Sequence, residues 1–201
     1  GEHGAELIVL PESVLTGFSP GPHQARLWEL AEPVPGPATE RLGALCQELG
    51  VHLVLPLYER GPQAPVVYNS AAVIDDRGAV LGVYRKTHLF PTERLERGGW
   101  STAGDRAVVV PTRLGNLGMI LCYDGDFPEM TRSYANLDCA LLFWMNNRGS
   151  RGHAEVEPLA AANSMIIASS CGCGPNESGR HCRGGSNITA ADGALLAEIW
   201  D

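Results

Sequence analysis

The sequence lacks the features that mark several large classes of protein. No apolar run approaches the roughly 18 residues that a membrane-spanning helix requires, and the opening Gly1-Glu2-His3-Gly4 has no signal-peptide character. Basic residues number 15 against 23 acidic ones, so the formal net charge is −8. Nucleic acids and anionic membranes bind cationic surfaces, and neither is expected as a partner. A small neutral or polar substrate fits this composition better.

Cysteine is too sparse for a secreted disulfide framework. Six cysteines occur at uneven spacings, at positions 46, 122, 139, 171, 173 and 182. This usage indicates a reducing compartment, and we expect a cytoplasmic protein. The 201 residues, 44% of them hydrophobic, are enough to build the core of one domain.

Three short apolar runs each end in a chemically useful side chain. Residues 7–11 lead into Glu12, residues 80–84 lead into Arg85-Lys86, and residues 118–121 lead into Cys122. A helix is expected to begin soon after Cys122, and the positive end of a helix dipole favours thiolate over thiol. Cysteine in such a place can attack a carbonyl carbon, although a free cysteine is more commonly a buried structural residue.

The remaining patterns predict alternating strands and helices. Helices are expected at 37–50, 128–137 and 153–163, the second with Asp126 as its N-cap. Strands are expected at 51–58, 139–145 and 165–170, with hairpins over 69–84, 107–121 and 187–198. This alternation indicates an α/β fold with a mixed sheet.

Four sequence blocks carry a family resemblance. They are Leu10-Pro11-Glu12, Tyr84-Arg85-Lys86-Thr87-His88-Leu89-Phe90, Cys122-Tyr123-Asp124 with Phe127-Pro128-Glu129, and Gly184-Gly185-Ser186. In this order they resemble the nitrilase or carbon–nitrogen hydrolase superfamily. The resemblance implies an α-β-β-α sandwich, a homodimer or higher homo-oligomer, and a small-molecule amide substrate. It also implies that residues 1–201 form one domain that lacks the family's first strand and helix and its C-terminal segment.

The resemblance assigns one chemical role to each of the three strand ends. Cys122 is the expected nucleophile, Glu12 the general base, and Lys86 the cation that stabilises the oxyanion together with the backbone N–H of Tyr123. The expected reaction forms a thioester on Cys122, releases ammonia or an amine, and then hydrolyses the thioester. No cofactor or metal is implied.

The family often places a second glutamate between the lysine and the cysteine. Counting back from Gly104 favours Glu96, and Glu93 is the alternative. Asn146, Asn147 and Arg148 follow another predicted strand and are expected at the same pocket, with Asn146, Asn147 or Arg148 as the candidate substrate contact. His88 is expected to pack or to form hydrogen bonds rather than to act as a base.

Two other functions remain open from the sequence. Cys171-Gly172-Cys173 with His181-Cys182 offers zinc ligands, although the spacing is not that of a two-knuckle finger. Within the superfamily, nitrile cleavage and acyl transfer to an amine are the alternatives to amide hydrolysis. The pair Tyr123-Asp124 resembles amidase, ω-amidase and carbamoylase branches, which favours a linear amide or N-carbamoyl substrate.

Overall fold

The structure is a computed structural model that describes residues 4–18, 26–147, 152–175, 179 and 181–200. The strands are β1 (Leu7–Val9), β2 (His52–Arg60), β3 (Val67–Ile74), β4 (Val80–Arg85), β5 (Val109–Thr112), β6 (Gly115–Leu121), β7 (Leu141–Asn146), β8 (Ile166–Cys171), β9 (Cys173–Pro175), β10 (His181–Thr189) and β11 (Leu195–Trp200). The helices are α1 (Leu27–Leu30), α2 (Pro37–Leu49), α3 (Pro128–Asn136) and α4 (His153–Asn163).

The strands form two mixed sheets. The first has the order β1-β2-β3-β4, and the second has the order β11-β10-β8-β7-β6-β5 with β9 paired to β10. In the first sheet β1 and β2 are parallel, while β3 is antiparallel to both β2 and β4. Strands β1, β2 and β4 therefore run in one direction, and the residues that follow β1 and β4 lie at the same end of the sheet.

The main core lies between the two sheets. Period-two alternation turns one side of β2 and β3 toward the second sheet, where Val54, Ala71 and Val73 join Leu117 and Met119 in one buried cluster. The alternate residues form a second cluster with helix α2, and helices α3 and α4 cover the outer side of the second sheet. The layers are thus helix, sheet, sheet and helix, which confirms the expected α-β-β-α sandwich.

Local chemistry explains where helix α2 begins and ends. Pro37 occupies its first turn, where the missing N–H costs nothing, and the Thr39 hydroxyl accepts a 2.8 Å hydrogen bond from the Gly36 N–H. Gly50 closes the helix in the left-handed region at φ 65°. The predicted helix over 37–50 is therefore confirmed within one residue.

One prediction of local structure was wrong, and another was right but too short. Asp126 does not cap helix α3, because residues Cys122–Asp126 form a 3-10 turn and the N-cap position falls on Phe127, without a side-chain cap. The last hairpin over 187–198 is confirmed, since β10 pairs with β11 and Asn187 lies opposite Glu198, but β10 starts earlier, at His181, where it pairs with β9. The glycine-rich composition of 181–186 gave no strand signal. Within the described residues no helix has the length and apolarity to cross a bilayer.

Candidate active site

Glu12 lies three residues beyond the end of strand β1 at Val9 and is 2% exposed. Its Oε1 accepts hydrogen bonds from Lys86 Nζ at 2.9 Å and from Asn69 Nδ2 at 2.9 Å. Its Oε2 accepts the backbone N–H of Asn147 at 3.2 Å. Glu12 therefore joins the first sheet to the end of strand β7 in the second.

Lys86 directly follows strand β4, and its side chain is fully buried. Its ammonium lies between two carboxylates, 2.9 Å from Glu12 Oε1 and 2.7 Å from Glu93 Oε2. A buried ammonium is tolerated only when it is paired and hydrogen-bonded, and both conditions hold here. The predicted meeting of Glu12 and Lys86 is present.

Asn69 holds the two carboxylates together. It lies within strand β3 and is fully buried, and its Nδ2 donates to Glu12 at 2.9 Å and to Glu93 at 3.1 Å. Two acceptors on one side fix which end of the amide is nitrogen. No motif in the sequence pointed to Asn69, which is one of two adjacent polar residues, with Ser70, in the buried strand β3.

Charge pairing dominates the electrostatics of this cluster. Burial on its own lowers the pKa of Lys86, but the charges of Glu12 and Glu93 outweigh it, and the pKa rises above its ordinary value of 10.5. Cys122 lies close enough to the ammonium to raise that pKa as well. Burial raises the pKa of Glu93, and the charge of Glu12 adds to this effect, while Lys86 opposes it. The ammonium is therefore held in its charged form, and Cys122 interacts with it electrostatically.

Cys122 stands where strand β6 gives way to a 3-10 turn. It is 7% exposed, and its φ of 44° lies in the left-handed region that non-glycine residues seldom adopt. Trp144 Nε1 donates a 2.8 Å hydrogen bond to the Cys122 carbonyl. Gly125 makes room for the same indole, since a Cβ on Gly125 would lie 2.2 Å from Trp144 Cζ2. The turn that presents the thiol is thus packed against the Trp144 indole at both Cys122 and Gly125.

The structure corrects the choice of the second glutamate. Glu93, not Glu96, contacts Lys86, and its Oε2 also accepts the Phe90 N–H at 2.8 Å. Glu96 is exposed and lines a separate pocket of about 470 Å³ beside Thr87. Counting from Gly104 failed because the 3-10 turn Leu95–Arg97 and the following Gly98-Gly99 use up residues in a local loop.

The doubled glycine supports the loop that carries Glu93. The backbone of Gly99 packs against Glu93 so closely that a Cβ on Gly99 would lie 2.3 Å from the Glu93 carbonyl carbon. Its N–H donates to Arg94 O at 2.9 Å. Only glycine allows this approach, and the loop thereby returns the Glu93 carboxylate toward Lys86.

The expected substrate contacts fall at different depths. Asn146 is 2% exposed and its Nδ2 donates to Trp144 O and to Ser169 Oγ, so it is tied into the sheet. Asn147 is half-buried and reaches Glu12 through its backbone N–H. Tyr123 is half-buried against Phe90 at 5.3 Å between ring centroids. Arg148 lies outside the described residues.

Aromatic side chains border the cluster on another side. The Phe18 ring centroid lies 5.5 Å from Lys86 Nζ and 5.7 Å from that of Trp100. The Tyr58 hydroxyl donates to Phe18 O at 2.6 Å and accepts from Trp100 Nε1 at 2.9 Å. Sequence reasoning missed this wall, because its three rings come from separate segments.

His88 and the zinc alternative have plain structural outcomes. The His88 ring stacks on Phe127 with centroids 4.1 Å apart, and its Nδ1 lies 3.2 Å from Asp124 Oδ1, which confirms the packed and hydrogen-bonded role. Among the described residues, which include Cys171, Cys173 and His181, no three His, Cys, Asp or Glu side chains gather as metal ligands. The geometry thus gives no support to the zinc hypothesis.

Comparison with known proteins decides the family. The family model for carbon-nitrogen hydrolase matches residues 1–201. The chain belongs to the carbon–nitrogen hydrolase family. It is 30% identical to an (R)-stereoselective amidase from Pseudomonas sp over 197 residues, which are 96% of this chain and 68% of that protein. It is also 30% identical to N-carbamoylputrescine amidase from Solanum lycopersicum over 82% of this chain and 61% of that protein.

A solved relative adds the fold and a covalent adduct. The structure of a mutant amidase from Nesterenkonia sp. AN1 superposes with a TM-score of 0.84 at 27% identity, covering 99% of this chain and 74% of that one. That structure shows covalent addition of the acetamide moiety of fluoroacetamide at the active site cysteine. This carbon–nitrogen hydrolase is therefore an enzyme of the amidase-like branch of the nitrilase superfamily that acts on C–N bonds.

Proposed function

We propose that this carbon–nitrogen hydrolase cleaves a small linear amide or N-carbamoyl compound through a thioester on Cys122. The observation that carries the proposal is the buried Lys86 ammonium, held by Glu12 and Glu93 and close enough to Cys122 to interact with it. Base, cation and thiol are three groups that acyl transfer to a cysteine requires.

The first half of the reaction forms the acyl-enzyme. Cys122 Sγ attacks the carbonyl carbon while Glu12 takes the thiol proton. The tetrahedral oxyanion is stabilised by the Lys86 ammonium and by the backbone N–H of Tyr123. When the C–N bond breaks, Glu12 returns the proton to the leaving nitrogen, so that ammonia or an amine departs from a thioester.

The second half hydrolyses the thioester. Glu12 removes a proton from water, the hydroxide attacks the thioester carbonyl, and the C–S bond breaks to release the acid and regenerate the Cys122 thiol. Glu93 keeps the ammonium charged and in place through both halves, at 2.7 Å from its Nζ. Asn147 contributes through its N–H to Glu12 Oε2. We propose that the Asn146 and Asn147 side chains act in substrate binding.

Relatives support the substrate class. An amidase and an N-carbamoylputrescine amidase are both similar to this chain at 30% identity. A linear amide and a carbamoyl compound share a planar carbonyl next to nitrogen, which is the group that the proposed site attacks. No feature of the described residues favours a nitrile.

The test is release of ammonia or amine from a panel of linear amides, N-carbamoyl amino acids and nitriles. The wild-type chain is compared with Cys122→Ala and with Cys173→Ala, a matched control because Cys173 is exposed. We expect Cys122→Ala to be inactive on every compound that the wild type cleaves, and Cys173→Ala to match the wild type. Equal activity of Cys122→Ala and wild type would rule out this nucleophile.

The same panel of substrates tests the two alternative activities, acyl transfer and nitrile cleavage. Addition of hydroxylamine tests acyl transfer, because the ratio of hydroxamate to acid measures how well an amine acceptor competes with water for the thioester. Preferential cleavage of nitriles would replace the amide assignment. Homo-oligomerisation and a cytoplasmic location stay predictions, and sedimentation equilibrium and cell fractionation test them.

A further inference from the structure

A further buried carboxylate, Asp124, lies outside the Glu12, Lys86 and Glu93 cluster. Asp124 is fully buried, and its Oδ2 accepts hydrogen bonds from the Tyr84 hydroxyl at 2.7 Å and from the Leu121 N–H at 2.9 Å. Its Oδ1 accepts the His88 N–H at 2.9 Å. A buried charge with this many donors occupies a specified place in the structure.

Further donors come from the side chains that follow the lysine. Thr87 Oγ1 lies 3.2 Å from Asp124 Oδ1, and His88 Nδ1 lies at the same distance. The Tyr84 hydroxyl also accepts the Thr87 N–H at 3.2 Å. Asp124 thus binds a short stretch of chain on both sides of Lys86.

The remaining donor belongs to the segment that carries the nucleophile. Leu121 is the last residue of strand β6, directly before Cys122, and its N–H donates a hydrogen bond to the Asp124 carboxylate. Cys122 has a φ of 44°, and a non-glycine residue keeps such a conformation only where the surrounding structure determines it. The Asp124 bond to Leu121 closes the turn around that residue.

One carboxylate therefore bridges two segments from different sheets. Lys86 follows strand β4 of the first sheet, and Cys122 follows strand β6 of the second. The bonds of Asp124 reach both segments, so its displacement would change the separation of the ammonium and the thiol.

We propose that Asp124 is a positioning residue that sets the placement of the Cys122 thiol relative to the Lys86 ammonium. It acts through Leu121 on one side and through Tyr84, Thr87 and His88 on the other. This inference rests on the proposed function, because Cys122 and Lys86 are the groups being positioned. Asp124 contacts the framework of the site and does not enter the reaction.

The decisive variant is Asp124→Asn in the full chain. Asparagine keeps the size of aspartate but offers one acceptor oxygen, and its NH₂ meets donors where an oxygen stood. We measure the rate of Cys122 alkylation by iodoacetamide against pH, in a Cys173→Ser background that removes the exposed thiol. With an amide that the wild type cleaves, we also measure kcat and KM.

The charged and titratable groups around this segment are Lys86, which interacts electrostatically with Cys122, Glu12 and Glu93, which pair with the ammonium, and His88, which lies beside Asp124. We expect the alkylation midpoint of Asp124→Asn to move to higher pH, because the thiolate loses its close cation. We expect kcat to fall by about 100-fold, as for displacement of a reacting group by roughly 1 Å, with little change in KM. Glu129→Gln, an exposed carboxylate in helix α3, is the control and should match the wild type.

An Asp124→Asn protein that melts earlier but has the wild-type alkylation profile and kcat would overturn the proposal, because a merely structural role moves stability alone. Cys122→Ala distinguishes a failure of the proposed function from a failure of the positioning role of Asp124. If that variant keeps activity, the proposed function fails. If it is inactive while Asp124→Asn behaves as wild type in both readouts, only the positioning role fails.

Tyr84→Phe provides the second route if Asp124→Asn does not fold. It keeps the ring in the core and removes only the hydroxyl 2.7 Å from Asp124. We expect the same directions with a loss in kcat of roughly tenfold, typical of one hydrogen bond to a charged group. A wild-type alkylation profile and kcat in Tyr84→Phe would count against the proposal. In the double variant that combines Asp124→Asn with Tyr84→Phe, the loss in kcat should be smaller than the product of the two single losses. A loss equal to that product would contradict a shared connection.

Discussion

The Lys86 ammonium lies closer to Glu93 than to Glu12, at 2.7 Å against 2.9 Å. All three side chains are buried, so the ammonium exchanges its water shell for two carboxylates. Asn69 spans the same two carboxylates and holds them on one side of the ammonium. Glu93 is therefore as much a part of the charge balance of the site as Glu12.

Replacement of Glu93 by glutamine should separate it from its neighbour Glu96. Glu93→Gln removes one of two charges that hold Lys86, and we expect kcat to fall roughly 100-fold. The free energy of unfolding should fall by about 1–3 kcal/mol, as for a weakened buried hydrogen bond. Kinetics and urea unfolding measure both effects. Glu96→Gln is the matched control, since Glu96 is exposed on the same loop, and an equal loss there would contradict the assignment.

Removal of the Tyr58 hydroxyl should loosen the aromatic wall. Tyr58→Phe leaves Trp100 Nε1 without this acceptor and Phe18 O without this donor. We expect a loss of about 1–3 kcal/mol in unfolding free energy and a rise in KM, because the Phe18 ring beside Lys86 loses its support. Tyr68→Phe is the control, since a phenyl ring still packs under Arg85. An unchanged KM in Tyr58→Phe would show that the wall does not shape substrate binding.

A methyl group at Gly125 should disturb the turn that presents the nucleophile. In Gly125→Ala the new Cβ meets the Trp144 indole at 2.2 Å, and the indole is 2% exposed and bonded to the Cys122 carbonyl. We expect a loss of about 1–3 kcal/mol in unfolding free energy, typical of overpacking, together with lower kcat. Gly172→Ala serves as the stability control, because its nearest contact is 3.9 Å away. Equal stability of the two variants would contradict the packing argument.

Buried tyrosines should make the protein sensitive to alkali. Burial raises the pKa of Tyr58, Tyr84 and Tyr134 above the ordinary value of 10. In the unfolded chain these hydroxyls ionise near pH 10, while in the folded protein they keep their protons. Their contribution to stability is therefore fully present below pH 10 and is lost as the pH rises through the folded-state values.

Each tyrosine steepens the loss by up to about 1.4 kcal/mol per pH unit, and the raised pKa of Lys86 acts in the same direction. Urea unfolding between about pH 8 and pH 11 measures the slope. Tyr134→Phe should reduce it, whereas Tyr68→Phe, half-buried in the wild type, should change it less. A stability that stays constant above pH 10 would contradict this expectation.

The strand-end residues were predictable from the sequence because short-range patterns determine them. The apolar runs before Glu12, Lys86 and Cys122 become strands β1, β4 and β6. The side chain that follows each run lies beyond the end of its strand. The shared direction of β1 and β4 in one sheet then places Glu12 and Lys86 at the same end of that sheet.

The groups that support those residues were not predictable in the same way. Asn69 is a polar residue inside a buried strand, and its task appears only when Glu12 and Glu93 meet across it. Glu93 and Glu96 stand three residues apart in one charged segment, and the tight Gly99 contact decides between them. The roles of Asn69 and Glu93 depend on tertiary contacts, which the periodicity of a sequence does not predict.

The two halves of the proposed chemistry sit on separate layers. Glu12 and Lys86 belong to the sheet that starts with β1, whereas the thiol of Cys122 belongs to the sheet that contains β6, and the interlocking side chains of the core fix how these layers register. The apolar residues packed between the two sheets consequently help to set the distance between the reacting groups. A substitution that shifts one sheet relative to the other would abolish catalytic turnover, although each reacting group would still be present.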